Sequence, residues 1–180
     1  SHSAIDGIKK ILSKNNINPN DVKFIKCTIP EIVASNLTYS NPKTVAQAQF
    51  SLEYAIASIM HLGEITLENL NQETVMNPKL RKYFSIIEIK VSDVPENENS
   101  TDYICPEWAN IELETKNRNY YKAFIGSPIG SSRKPMSEDT LFAKFKSCIK
   151  YSDQTKNAET LYKDLRYIEN LENLSALFLK

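Results

Sequence analysis

The run from Ala46 to Gly63, AQAQFSLEYAIASIMHLG, constrains this chain more than any other feature. Its spacing predicts one long helix, capped by Thr44 and stopped at Gly63, with apolar residues around nearly its whole circumference. Such a helix cannot lie on a surface, so other elements must enclose it. With 180 residues the chain is long enough to supply them. At this size folding buries about 70% of the surface that the unfolded chain exposes.

The flanking segments supply both helices and strands. Ser3 to Ser13 sets Ile5, Ile8, Ile11 and Leu12 at helical spacing behind a Ser3 cap. Val22 to Ile29 alternates Val22, Phe24 and Lys26 against Lys23, Ile25 and Cys27 and stops at Pro30, the pattern of a strand. Thr66 predicts a short helix through Leu70, and Asn77 followed by Pro78 opens another through Phe84. Ile86 to Val91 is a β-branched run, followed by the acidic loop DVPENENSTD. Trp108 to Thr115 and Tyr120 to Ile125, joined by Lys116 to Asn119, predict a hairpin. After the Gly-rich stretch Gly126 to Pro135, Ser137 caps a helix whose Leu141, Phe145 and Ile149 should face inward. Thr155 to Tyr167 and Leu171 to Phe178 read as two further helices. This order predicts an α+β fold, a two-layer sandwich with a mostly antiparallel sheet covered by helices, as a single domain over residues 1–180.

Charge and composition narrow the function. Twenty-two Lys and Arg balance twenty-two Asp and Glu, and no long basic run is interleaved with aromatics, so nucleic acid is not the expected partner. No stretch approaches the 18 or so apolar residues of a membrane span, and the N-terminus lacks a signal-peptide layout, so a cytoplasmic protein without a membrane is expected. Cys27, Cys105 and Cys148 lack metal-ligand spacing and read as buried thiols. His2 and His61 are the only histidines, and no catalytic triad or carboxylate pair can be assembled from spacing. His61 reads as a helix-end cation. The loop GSPIGSSRK has three residues between its glycines where a phosphate-binding loop has four, and no Lys-Ser or Lys-Thr follows; turn chemistry accounts for it. Arg133 and Lys134 read as a solvated loop, although both have the chemistry to hold a carboxylate. Tyr54, within the apolar helix, reads as core with a hydroxyl in need of a partner.

Several motifs together resemble one family. In NPKTVAQAQFSLEYAIASIMHLGEITLENL, residues Ala48, Phe50, Ser51, Tyr54, Ala55 and Ala57 match the helix motif of the MmgE/PrpD family, lyases related to 2-methylcitrate dehydratase and cis-aconitate decarboxylase. Asn77-Pro78 with Leu80 is similar to that family's next segment, and RKPMSEDTLFAKF to its later element through Pro135, Ser137, Leu141, Lys144 and Phe145. His2-Ser3-Ala4-Ile5-Asp6 resembles the opening of the family's second domain and Leu171-Glu172-Asn173-Leu174 its close. Glu53, where the family often has Pro, and Lys116 to Asn119, where it has an Asp-Gly turn, depart from the pattern.

The resemblance implies the C-terminal, lid-like domain of a lyase that uses neither metal nor cofactor and acts on a small di- or tricarboxylate. It places Tyr54, and His2 with it, at the substrate. Most catalytic groups would stand on an N-terminal helical domain of the same protein, itself a homodimer, so the isolated chain is expected to be inactive. The start at Ser1, inside a helical segment and without Met, fits an excised piece. Such a piece should expose an apolar face, with contributions from Ile5, Ile8, Ile11 and one side of the Phe50 to Met60 helix. The competing expectation is a stand-alone, non-catalytic interaction module of the same fold.

Overall fold

The computed structural model describes residues 1–94, 104–152 and 157–177. The chain divides into two compact units, Ser1–Lys134 and Pro135–Lys180. In the first, α1 (His2–Lys14) leads to β1 (Val22–Ile29). The short helices α2 (Glu31–Asn36) and α3 (Val45–Gln49), then α4 (Leu52–Leu62), α5 (Gln72–Met76) and α6 (Pro78–Arg81), precede β2 (Ile87–Val91), β3 (Ala109–Thr115) and β4 (Tyr120–Ile125). The second unit holds α7 (Glu138–Ile149) and α8 (Ala158–Arg166).

The four strands form one sheet in the order β2-β1-β3-β4. β1 runs parallel to β2, with Cys27 opposite Ile89, and antiparallel to β3, with Cys27 opposite Ile111; β3 and β4 are the expected antiparallel hairpin. The fold is therefore an α+β sandwich whose sheet is antiparallel at two of its three pairings. A register shift between Val22 and Phe24 interrupts the strict alternation of β1, so Val22 joins Ile25, Cys27 and Ile29 in the core. Helix α1 lies on β3 and β4, and α4 lies beside α1 and against β2. Their buried residues, Ala4, Ile8 and Ile11 with Leu52, Ile56 and Ile59, close the core over Ile25, Ile111 and Leu113.

Several local expectations need correction. The predicted long helix is two helices. Ser51 caps α4 by accepting the Tyr54 N–H at 3.1 Å, and Gly63, at φ 78°, ends it in the left-handed conformation. No helix follows Thr66; its hydroxyl accepts the Asn69 N–H at 3.2 Å within a turn. Ser3 does not cap α1, which begins at His2 with Ser1 as an N-cap that makes no side-chain bond. Ile8 and Ile11 are spent in this chain's own core and are not available to a partner. Cys148 is exposed, unlike Cys27 and Cys105, and α7 has no buried residue: Leu141, Phe145 and Ile149 are half-buried. Residues 174–177 form a short 3-10 turn where a longer helix through Phe178 was expected; Phe178, the start of the Thr155 helix and most of the acidic run after Asp93 lie outside the described residues. By contrast Asn77, accepting from Lys79 N–H at 2.9 Å ahead of Pro78, caps α6 as expected, and Ser137 caps α7. Among the described residues no helix is long and apolar enough to cross a membrane.

Candidate functional site

The two residues singled out for substrate, His2 and Tyr54, stand in the first turns of α1 and α4. His2 is exposed. Tyr54 is only 3% exposed, its ring packed in the core, and its half-buried hydroxyl donates to the Asn69 carbonyl at 3.3 Å. Burial pushes that hydroxyl above its ordinary pKa, so it remains a protonated donor at neutral pH.

Cys27 on β1 belongs to the same buried core as Tyr54. Burial pushes this thiol up to about 12, so it stays uncharged and is no nucleophile. Glu53 precedes Tyr54 and is half-buried; desolvation raises its pKa, although its own backbone N–H works the other way. The carboxylate form is thus disfavoured in the folded protein. A raised carboxyl pKa means that the folded state holds its proton to higher pH than the unfolded chain does, so Glu53 works against stability once pH exceeds its folded value. Glu53→Gln is therefore expected to raise the melting temperature at pH 7 and to make little difference at pH 4. A thermal series over that range checks it, and an equal effect at both ends would contradict it.

Sequence reasoning missed the long-range tethers. The Arg81 guanidinium donates to the carbonyls of Pro42 at 2.9 Å and Val75 at 3.2 Å and to the Asn41 side chain, and it lies 5.0 Å over the Phe84 ring. Gln72 Nε2 donates to Lys43 O at 2.8 Å, so the segment leading into α3 is held from α5 and α6. Asp6 Oδ2 accepts the Ile129 N–H at 2.7 Å and fastens the Gly-rich loop to α1. Partners 39 and 123 residues apart leave no local signal. Arg133 and Lys134 are exposed; the Lys134 backbone closes a turn on Ser131 and Gly130. His61 sits in the last turn of α4 as expected. Among the described residues no group of three or more His, Cys, Asp or Glu is placed to hold a metal.

Residues 1–165 match a family model described as the MmgE/PrpD C-terminal domain. The chain is 24% identical over 170 residues to a human (Homo sapiens) protein named cis-aconitate decarboxylase, covering 94% of this chain and 34% of that protein. Its mouse (Mus musculus) counterpart of the same name is 23% identical over 156 residues, covering 87% of this chain and 30% of that protein. The chain spans about a third of the length of the curated relatives it matches.

Proposed function

Because the chain belongs to the MmgE/PrpD family, through that family's C-terminal domain, we propose that it forms one wall of the active site of a lyase acting on a small di- or tricarboxylate. An N-terminal helical domain of the same protein supplies the other wall, and the whole protein works as a cytoplasmic homodimer. The reaction class is that of 2-methylcitrate dehydration or cis-aconitate decarboxylation, without a metal or cofactor. Such chemistry needs a base for the proton beside a carboxylate, an acid for a departing hydroxyl, and fixed donors that hold the carboxylates.

The observation that supports this reading is the match of residues 1–165 to the family's C-terminal domain. His2 and Tyr54 are 52 positions apart in the chain, yet they stand in the first turns of two helices, α1 and α4, that pack beside each other. The Tyr54 hydroxyl, a neutral donor bonded at 3.3 Å to the Asn69 carbonyl, is suited to orient a carboxylate rather than to move a proton.

Tyr54→Phe tests the reading in the protein that carries both domains, with cis-aconitate and 2-methylcitrate as substrates. Turnover should fall at least tenfold, while stability falls by no more than the ~1 kcal/mol of one hydrogen bond. Unchanged turnover with the same loss of stability would make the hydroxyl purely structural and remove Tyr54 from the site.

A further inference from the structure

We propose that the outer edge of β2 is a docking surface for a second copy of this chain, whose own β2 adds to it antiparallel, with Ile89 facing Ile89 across a two-fold axis. β2 ends the sheet, whose order is β2-β1-β3-β4, so only one of its two edges is paired. Ser92 N–H donates to Ile29 O at 3.1 Å, which turns the backbone groups of the even-numbered residues toward β1. Those of Ile87, Ile89 and Val91 therefore face outward. Ile87 N–H is spent on the Phe84 carbonyl, but among the described residues nothing bonds the N–H and C=O of Ile89 and Val91. Such an edge is a template for another strand.

The side chains of β2 select which strand. Its sequence, IEIKV, sets an acid at 88 and a base at 90, one on each side of Ile89. In an antiparallel pair centred on Ile89, Glu88 of each copy stands opposite Lys90 of the other, and Ile87 opposite Val91. Ile89 then forms the hydrogen-bonded pair that its outward groups require, and Val91 N–H reaches the Ile87 carbonyl of the second copy. Glu88 and Lys90 fall in the non-hydrogen-bonded pairs, where Cα atoms are about 4.5 Å apart and side chains approach most closely. Both are exposed, and among the described residues neither has an ion-pair partner. Lys26, beside Glu88 on β1, lies 3.7 Å from Glu112 instead.

Other arrangements of the same edge are penalised. A slip of two residues sets Glu88 against Glu88 or Lys90 against Lys90, and a slip of one turns bonded groups away from each other. Parallel in-register pairing stacks like charges throughout. The opposite edge of the sheet, β4, has Lys122 as its one charged residue and so offers no self-complementary register. Because the β2 pairing is isologous, it occupies the edge of both copies and stops at a dimer. Nothing in this pairing depends on the lyase reading.

Sedimentation of the 180-residue chain from about 10 μM to 1 mM should show a monomer–dimer equilibrium. Amide hydrogen exchange should protect Ile89 and Val91 only at the high end of that range. Glu88→Lys and Lys90→Glu should each weaken the dimer about tenfold, since each sets like charges opposite one another in both symmetry-related pairs. Neither should move the melting temperature of the dilute monomer, both side chains being exposed. The double change should restore the dimer, and an equimolar mixture of the two single variants should pair more tightly than either alone. Val91→Pro, which removes an outward N–H where an edge strand tolerates proline, should weaken association as strongly. A chain monomeric throughout the range, a dimer insensitive to both charge reversals, or a mixture that pairs no better than its components would each overturn the proposal.

Discussion

Gly7→Val is expected to cost the chain at least about 3 kcal/mol, enough to unfold a marginal domain. A Cβ at this position would stand 2.6 Å from Ile111 Cγ1, well inside contact distance, and 3.5 Å from both Ile111 Cβ and Ile125 Cγ1. Ile111 cannot swing aside, because it is fully buried on β3 beneath α1. Val adds two further methyl groups and a stiff χ1 to that collision. Gly7→Ala is the informative companion, since two effects of opposite sign meet in it. Helix propensity favours Ala by about 1 kcal/mol, whereas overpacking costs about 1 to 3 kcal/mol. A net loss of up to about 2 kcal/mol is therefore expected. Urea midpoints of both variants measure this, and a stabilised Gly7→Ala would show that the helix can lift off the sheet at no cost.

Arg81→Ala is expected to cost about 2 to 4 kcal/mol, because it removes two carbonyl bonds and an amide bond made by a charged group and strands their acceptors. Pro42, whose carbonyl is one of them, is fully buried, so water cannot easily take the place of the guanidinium. Arg81→Lys should recover little. An ammonium has neither the planar fork that reaches Asn41, Pro42 and Val75 together nor the flat face that covers Phe84. Denaturant midpoints give the cost. Recovery by Lys of more than half of the lost stability would show that charge alone, rather than the fork, holds the segment.

What the sequence made legible was what depends on neighbours along the chain. Asn77-Pro78, Ser137 and the stop at Gly63 are local devices, and all three act as their residue types dictate. The hairpin of β3 and β4 follows from alternation alone. The break between α3 and α4 was hidden because its cause is remote. The Phe50 carbonyl, which an unbroken helix would offer to Tyr54 N–H, instead accepts from Tyr39 N–H at 3.1 Å, and Tyr54 N–H turns to the Ser51 hydroxyl. Apolar periodicity does not register a stolen carbonyl. The same reason concealed Asp6 and Arg81, whose partners lie far along the chain. His2 and Tyr54 came to notice through resemblance, since by chemistry alone one is a terminal histidine and the other a core tyrosine.

The parallel pairing of β1 with β2 also governs the order in which the sheet can assemble. β3 and β4 are joined by four residues, Lys116 to Asn119, and need close only a short loop. β2 reaches β1 only after α2 through α6 have been threaded between them, and such distant pairings bear the greater entropic cost of closure. The hairpin is therefore the cheapest part of the sheet to close, whereas β1, whose Cys27 pairs with Ile89 across 62 positions and with Ile111 across 84, needs a long loop closed on either side. Until both loops close, β1 presents unpaired backbone groups, and in that interval the chain is most open to pairing with another copy of itself.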